Sequence, residues 1–304
     1  MNKILVTGGS SMVGQHLQKY IPEAKYLSSK DCDLKDPEAV KILFNDFKPN
    51  LIIHLAAKVG GIMDNINNPA SFFDDNILIN TNVVKYAYES GCKNLISILS
   101  TCIYPDHCES YPLREEDLHI GPPTKTNFAY GYAKRAMSVQ IDAYNKQYNT
   151  NYSCIIPCNL YSEHDHFDGD KAHFVSSLIS KIHDAKVNNK KQITLFGSGS
   201  VFRQFMYADD LAKAISSITY GISPFIYNVC NPENKTIKEI AEIAIKCLDA
   251  DGLEICWDTS KPDGQIRKDA CSNKFIEYNP RFTFTSLEEG IRKTYEKKYI
   301  NIKN

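Results

Sequence analysis

The sequence predicts an α/β protein: a doubly wound parallel sheet with a smaller second lobe. Three observations lead there. Short apolar runs alternate with longer amphipathic stretches through the first 160 residues, a glycine-rich turn joins the first run to the first amphipathic stretch, and the pattern changes character after Tyr161. Strands alternating with helices imply a parallel sheet covered on both faces. Crossovers of this kind are right-handed, which makes double winding the economical topology.

Along the chain, Lys3–Thr7 reads as a strand and Val13–Tyr20 as a helix. Ala24–Leu27 is a short strand, and Pro37–Phe47 is a helix with proline in its first turn. Leu51–Leu55 reads as a buried strand, Ile77–Ser90 as a long helix and Asn94–Leu99 as another strand. Asn127–Tyr148 is a long helix followed by the strand Tyr152–Ile156. Beyond Tyr161, Ser162–Ala172 is rich in His and Asp. A helical stretch, Phe174–Lys186, a strand, Gln192–Phe196, and a loop, Gly197–Ser200, follow it. Phe225–Val229 reads as a return to the sheet and Ile237–Leu248 as a helix. Residues 1–160 with about 207–230 are therefore expected to form the sheet domain. About 161–206 with 231–304 are expected to form the smaller lobe.

Composition removes several functional classes. Of 304 residues, 43% are hydrophobic, which argues against disorder, and the formal net charge of -1 lacks the basic surplus of a nucleic-acid binder. No apolar run reaches the length of a membrane span, and the opening Met1-Asn2-Lys3 runs directly into Ile4-Leu5-Val6 without the features of a signal peptide. The ten cysteines are scattered through apolar runs with no CxxC pair. They read as reduced thiols of a cytoplasmic protein, with neither a disulfide framework nor a cysteine zinc site, and no metal site is expected.

Thr7-Gly8-Gly9-Ser10-Ser11-Met12-Val13-Gly14 lies between the first strand and the first helix. Glycines there permit a tight turn and close approach to a pyrophosphate, and the helix N-terminus offers free N–H groups. Ser11 stands where the usual pattern has its middle glycine. At the end of the second strand the chain has Leu27-Ser28-Ser29-Lys30 where an acidic residue would bind a ribose 2′-hydroxyl. The hydroxyl of Ser29 and the ammonium of Lys30 suit a 2′-phosphate, so NADP(H) is the expected cofactor, with Asp33 at the adenine edge.

Tyr130 and Lys134 are four apart in a predicted helix and so share a face. A nearby ammonium is expected to lower the tyrosine pKa from about 10, making Tyr130 an acid or base near neutrality. Ser100 follows the preceding strand at the carboxyl edge of the sheet, placed to hydrogen-bond a substrate carbonyl beside Tyr130.

Further stretches make a resemblance specific: His54-Leu55-Ala56-Ala57-Lys58-Val59-Gly60-Gly61-Ile62, Ser100-Thr101-Cys102-Ile103-Tyr104-Pro105, Pro157-Cys158-Asn159-Leu160-Tyr161, and Arg203-Gln204-Phe205 before Asp209-Asp210. With the nucleotide turn and Lys268 they span nearly the whole chain, which resembles the GDP-L-fucose synthase family of extended short-chain dehydrogenases/reductases. The resemblance implies a Rossmann domain and NADPH reduction of a C4 ketone on a GDP-linked 4-keto-6-deoxy sugar. Tyr130 would donate the proton, and Lys134 would hold the cofactor ribose. It adds Leu55, Ala56, Ala57, Lys58, Pro157, Asn159 and Leu160 to the cofactor contacts. It also implies that Cys102 and His173 invert C3 and C5, whose protons the neighbouring ketone acidifies. Phe174, Lys181, Phe196, Arg203 and Lys268 would join Lys58, Cys102, Asn159 and His173 around the sugar nucleotide, the cations meeting its diphosphate. The chain departs from the family pattern with Lys181 for arginine, Phe196 for tryptophan, Ser162-Glu163 for Gly-Pro and Gln204 for Glu, changes expected around the sugar and nucleotide pocket. The family also pairs as homodimers through helices corresponding to 77–90 and 127–148.

Two alternatives stay open. One is a C4 reductase alone, acting on a related GDP-4-keto sugar such as a 6-deoxy-heptose, with Cys102 and His173 vestigial. The other is a catalytically silent NADP-binding regulatory protein, against which Ser100, Tyr130 and Lys134 count. A 4,6-dehydratase is disfavoured because Thr101-Cys102 stand where such enzymes carry Asp-Glu.

Overall fold

The structure, a computed structural model, describes residues 3–169, 172–218, 225–261 and 263–301. The loop expected over Ser162–Ala172 therefore lies partly outside the described residues, at positions 170 and 171. In chain order the elements are β1 (Ile4–Thr7), α1 (Met12–Leu17), β2 (Lys25–Leu27), α2 (Pro37–Phe47), β3 (Leu51–His54), α3 (Ile62–Asn67), α4 (Pro69–Glu89), β4 (Asn94–Ile98), α5 (Phe128–Tyr148), β5 (Asn151–Pro157) and β6 (Asn159–Tyr161). They continue with α6 (Phe174–Val187), β7 (Gln192–Phe196), β8 (Phe202–Tyr207), α7 (Ala208–Ile218), β9 (Ile226–Val229), β10 (Asn234–Thr236), α8 (Ile237–Cys247), β11 (Glu254–Asp258), α9 (Asn273–Tyr278) and α10 (Leu287–Tyr295).

The main sheet runs β2-β1-β3-β4-β5-β9, every pair parallel. β1 and β3 are buried at every position, as Ile4-Leu5-Val6 and Leu51-Ile52-Ile53 require of a sheet covered on both faces. The chain moves outward from β1 to β2 and then crosses back to β3. A crevice consequently opens where the order reverses, at the carboxyl ends of β1 and β3. Register brings Thr7, His54 and Ser97 level across β1, β3 and β4. A three-stranded sheet, β10-β8-β6, and a parallel pair, β11-β7, stand beside it. Buried apolar side chains gather into two clusters, one around the main sheet and one around α6, α8 and β7. Ala270 and Phe275 belong to the first.

Several boundaries differ from the sequence reading. The first helix stops at Leu17 and gives way to turns, so its predicted end at Tyr20 is too late. α4 begins at Pro69, eight residues before the predicted Ile77, because its first two turns are too polar to show apolar periodicity. Its buried asparagines explain that polarity. Asn76 accepts from the Lys58 N–H at 3.1 Å and donates to the Lys58 carbonyl at 3.0 Å. Asn82 donates to the carbonyls of Leu34 and Lys35. Both hold loops at the carboxyl edge of the sheet. Strands β6, β8 and β10 escaped notice because they are short and carry Asn, Arg, Gln and Lys. Among the described residues, no helix is long and apolar enough to cross a membrane.

His54 at the end of β3 is fully buried, 2.7 Å from Thr7 Oγ1 on β1 and 3.2 Å from Asn80 Oδ1 on α4. Burial, helped by the nearby Lys134 ammonium, pulls its pKa down to about 3. The unfolded chain therefore binds a proton that the folded chain refuses between about pH 3 and the ordinary histidine value near 6.5. Stability should fall as pH drops through that window, by up to about 1.4 kcal/mol per pH unit from this one group. Urea unfolding at several pH values should show that slope, and His54→Gln should flatten it.

Candidate active site

A cleft of about 1430 Å³ opens at the carboxyl edge of the main sheet and extends between the two apolar clusters. Its inner end is the β1–α1 turn. Gly8 has φ +72°, and a Cβ there would lie 2.7 Å from the Ala56 nitrogen, so only glycine lets the turn approach the β3 loop this closely. Ser11, in place of the expected middle glycine, is the N-cap of α1: its Oγ accepts from the Gly14 N–H at 3.1 Å. Gly8, Ser10, Ser11, Met12 and Val13 all line the cleft. Gly14 does not. A Cβ there would meet the Gly8 and Gly9 carbonyl oxygens at 2.6 Å, so its contribution is to let the helix close on the turn.

Ser29 and Asp33 line the cleft beside Leu55, Ala56, Ala57 and Lys58. Lys30, expected at a 2′-phosphate, lies outside the cleft wall on the exposed side of the turn, and only its backbone is engaged, donating to Ser28 Oγ. Lys35 is the cation that lines this end, 3.6 Å from Asp75, which also pairs with Lys58 at 2.9 Å. The sequence reading passed over Lys35 because it is set beyond the loop rather than at the strand end.

Ser100, Tyr130 and Lys134 line the cleft together. Ser100 leaves β4 in an extended conformation and caps a short 3₁₀ turn, Thr101–Ile103, its Oγ accepting from the Cys102 N–H at 3.3 Å. Lys134 is only 2% exposed, and its ammonium donates to the Ile98 carbonyl at the end of β4, 2.9 Å away. Burial takes its pKa down to about 8. Tyr130 behaves opposite to the sequence expectation. Burial and the neighbouring Cys102 push its phenol above the ordinary value, against a hydrogen bond with Ser100 that lowers it. The Lys134 ammonium does not offset that burial, so Tyr130 is biased toward the protonated phenol.

Cys102 lies two residues beyond Ser100, inside the 3₁₀ turn. Burial alone would raise its thiol, but the Lys268 ammonium, 3.7 Å from Sγ, with hydrogen bonds from Ser100 and Asn127, brings it below the ordinary thiol value. Lys268, expected at a diphosphate, thus sits on the sulfur. His173 caps α6, and its Nδ1 lies 2.9 Å from Asp165 Oδ1. Burial would lower the imidazole pKa, but that hydrogen bond and the Asp165 charge raise it. Asp165 is itself held by the Ser176 hydroxyl at 2.6 Å. Neither Asp165 nor Asn127 was picked out from sequence, although the His/Asp-rich composition of the loop signalled that titratable groups gather there.

Pro157, Asn159, Leu160 and Phe174 line the middle of the cleft, and Lys181, Phe196 and Arg203 its outer end. The Lys181 ammonium lies 5.4 Å from the centre of the Phe196 ring and Lys261, unmarked by the sequence reading, 5.7 Å from it. Arg203 donates to the carbonyls of Phe202 and Gln265 at 2.7 and 2.6 Å. Of the substitutions expected around the pocket, Ser162, Glu163 and Gln204 do not line it. Gln204 is buried and exchanges two hydrogen bonds with the backbone of Ala270.

The profile of the NAD dependent epimerase/dehydratase family matches residues 4–230, which covers the β1–α1 turn, Ser100, Tyr130, Lys134 and the main sheet. The chain belongs to that family. Within it, the resemblance to GDP-L-fucose synthases extends over nearly the full length. The chain is 39% identical to a probable GDP-L-fucose synthase of Drosophila melanogaster over 96% of itself and 95% of that protein. It is 34% identical to a GDP-L-colitose synthase of Yersinia pseudotuberculosis over 99% of both. Among solved structures, a GDP-L-fucose synthetase of Naegleria fowleri bound to NADP superimposes with a TM-score of 0.88 at 36% identity, covering 97% of this chain and 92% of that one.

The Lys268–Cys102 pair makes a direct prediction. Alkylation of Cys102 by iodoacetamide, followed by the mass of its peptide, should begin below the pH typical of a free thiol, about 8.5. In Lys268→Ala the onset should move upward, because the remaining burial disfavours the thiolate.

Proposed function

We propose that this protein uses NADPH to reduce the C4 ketone of a GDP-linked 4-keto-6-deoxy sugar after inverting C3 and C5. One observation supports the reading above all: the Ser100–Tyr130 pair, the Cys102–Lys268 pair and the His173–Asp165 pair line a single cleft. The names of the relatives agree with it.

The chain's residues fit a dinucleotide. The close approach at Gly8 and the capped N-terminus of α1 leave room and N–H donors for a pyrophosphate. Lys35 supplies the cation for a 2′-phosphate that Lys30 does not. Bound NADPH supplies the hydride for C4. The protein's own part follows from the geometry. Ser100 orients the ketone oxygen by hydrogen bonding, and Tyr130, protonated well above neutrality, gives that oxygen its proton. Lys134, fixed to Ile98 and lining the cleft, would hold the cofactor ribose.

Inversion draws on the other two pairs. With the ketone polarised, a proton at C3 or C5 leaves its carbon and the electron pair moves onto the ketone oxygen as an enolate. Cys102, biased toward its thiolate by Lys268, accepts that proton. His173, whose Nδ1 is taken by Asp165, returns one from Nε2 to the opposite face, which inverts the centre. Lys181, Arg203 and Lys261 serve the diphosphate and Phe196 the nucleoside at the outer end.

The remaining assignments rest on the same reading. Residues 1–160 with about 207–230 serve the cofactor, and 161–206 with 231–304 serve the sugar nucleotide. All ten cysteines are free, in keeping with a cytoplasmic enzyme. Leu78 on α4 and Val139 on α5 are large apolar side chains about half exposed, in keeping with a homodimer formed across these helices. Twice the 34.4 kDa chain mass in light scattering is its test.

Two measurements decide the chemistry. Tyr130→Phe should slow NADPH oxidation with GDP-4-keto-6-deoxymannose by about 10²–10⁴-fold while solvent deuterium still enters C3 and C5. Reduction without deuterium in the wild-type product would leave a reductase only, and NADPH oxidation no faster in wild type than in Tyr130→Phe would leave a silent binding protein. Lys35→Ala should lower the preference for NADPH over NADH, measured as the ratio of kcat/KM values, and Lys30→Ala should not.

A further inference from the structure

We propose that His16, Glu163 and His164 form a binding site for a borderline divalent cation such as Zn²⁺, tying α1 to the segment that follows β6. The proposal is independent of the reaction above. His16 lies on α1, and its side chain is only 5% exposed. Its Nε2 is buried without a hydrogen-bond partner, a costly arrangement for a nitrogen among charged neighbours. That nitrogen faces Glu163 Oε2 at 3.8 Å, and His164 Nε2 lies 3.9 Å from Glu163 Oε1. One ligand atom from each of the three residues lies within 4.8 Å of the others.

The surroundings match a metal site beyond the ligand count. The other His16 nitrogen, Nδ1, is 3.4 Å from Asp209 Oδ1 on α7. A carboxylate behind a histidine in this manner fixes the ring and turns its far nitrogen outward, the usual support of a metal-ligating histidine. Asp209 is anchored by the Tyr20 hydroxyl at 2.8 Å and by Lys19 at 3.6 Å. Glu163 accepts from the Tyr207 hydroxyl at 2.8 Å and from the Lys297 ammonium at 2.7 Å, which hold the carboxylate in place and leave lone pairs for an ion.

Two imidazoles and one carboxylate are a Zn²⁺ set rather than a Mg²⁺ or Ca²⁺ set. Zn–N and Zn–O bonds of about 2.1 Å put tetrahedral ligands about 3.4 Å apart. The two Glu163–histidine separations, 3.8 and 3.9 Å, exceed that and run to different carboxylate oxygens, and all three ligand atoms lie within 4.8 Å, so side-chain rotation must draw the set together when an ion binds. His164 also lines the cleft, which gives an ion a route to the cluster. The sequence expectation of no metal rested on cysteine spacing, and this cluster contains no cysteine.

The test is calorimetric titration of Zn²⁺ into the full chain after chelator treatment, with Co²⁺ as spectroscopic probe. One Zn²⁺ per chain is expected, together with a higher melting temperature and visible Co²⁺ bands lacking near-ultraviolet thiolate absorption. His16→Gln and His164→Gln should each weaken binding at least about tenfold, and Asp209→Asn by about 10–100-fold. His164 is partly exposed, so its variant remains informative if His16→Gln does not fold. Unchanged affinity in the folded variants, a thiolate band, or no binding by the wild-type chain would overturn the proposal.

Discussion

A single hydrogen bond, from the Lys134 ammonium to the Ile98 carbonyl, sets the distances in the cleft. It ties the middle of α5 to the last residue of β4. Tyr130 rides one turn before that anchor, while Ser100 and Cys102 leave the strand just after it. Because the lysine is almost entirely buried, breaking the bond would leave an ammonium without a partner in a desolvated place, a penalty of several kcal/mol. Helix and strand end therefore stay in register, and the phenol, the hydroxyl and the thiol keep their mutual positions.

Around that frame the charges are sorted by role. Tyr130 has no cation close enough to outweigh its burial and keeps its proton. Cys102 has Lys268 at its sulfur and is biased to lose its own. Two groups of ordinarily similar acidity are thus driven apart by surroundings a few ångströms from each other. His173 is treated differently again: Asp165 orients the ring and favours its protonated form, in the same cleft as the thiol.

The legible parts of the sequence are those in which cause and effect are near neighbours. α2 is correct to the residue, because Asp36 caps it, Pro37 opens it and its apolar face is regular. Tyr130 and Lys134 are one helical turn apart, and the nucleotide turn is continuous in sequence. Ser11 shows that a missing glycine was a cap rather than a defect. What stayed hidden depends on distant contacts. Lys268 and Cys102 are 166 residues apart, and nothing local to either announces the other. The first turns of α4 were missed because Asn76 spends its polar groups on a loop rather than showing an apolar face. Tyr130 was expected to have a lowered pKa on the strength of spacing, and the backbone carbonyl that engages the lysine could not be read from spacing.

Gln204 shows how a neutral side chain governs a charged one. Its carboxamide copies a backbone amide, offering N–H to the Ala270 oxygen and accepting from the Ala270 nitrogen. That two-way splice, with the bridge to Leu113, pins the segment two residues beyond Lys268, whose ammonium meets the sulfur. A carboxylate in the same place accepts but has nothing to give, leaving the buried Ala270 carbonyl without that partner. The stretch that carries a lysine to a thiol more than a hundred residues upstream is thereby held in part by a neutral amide.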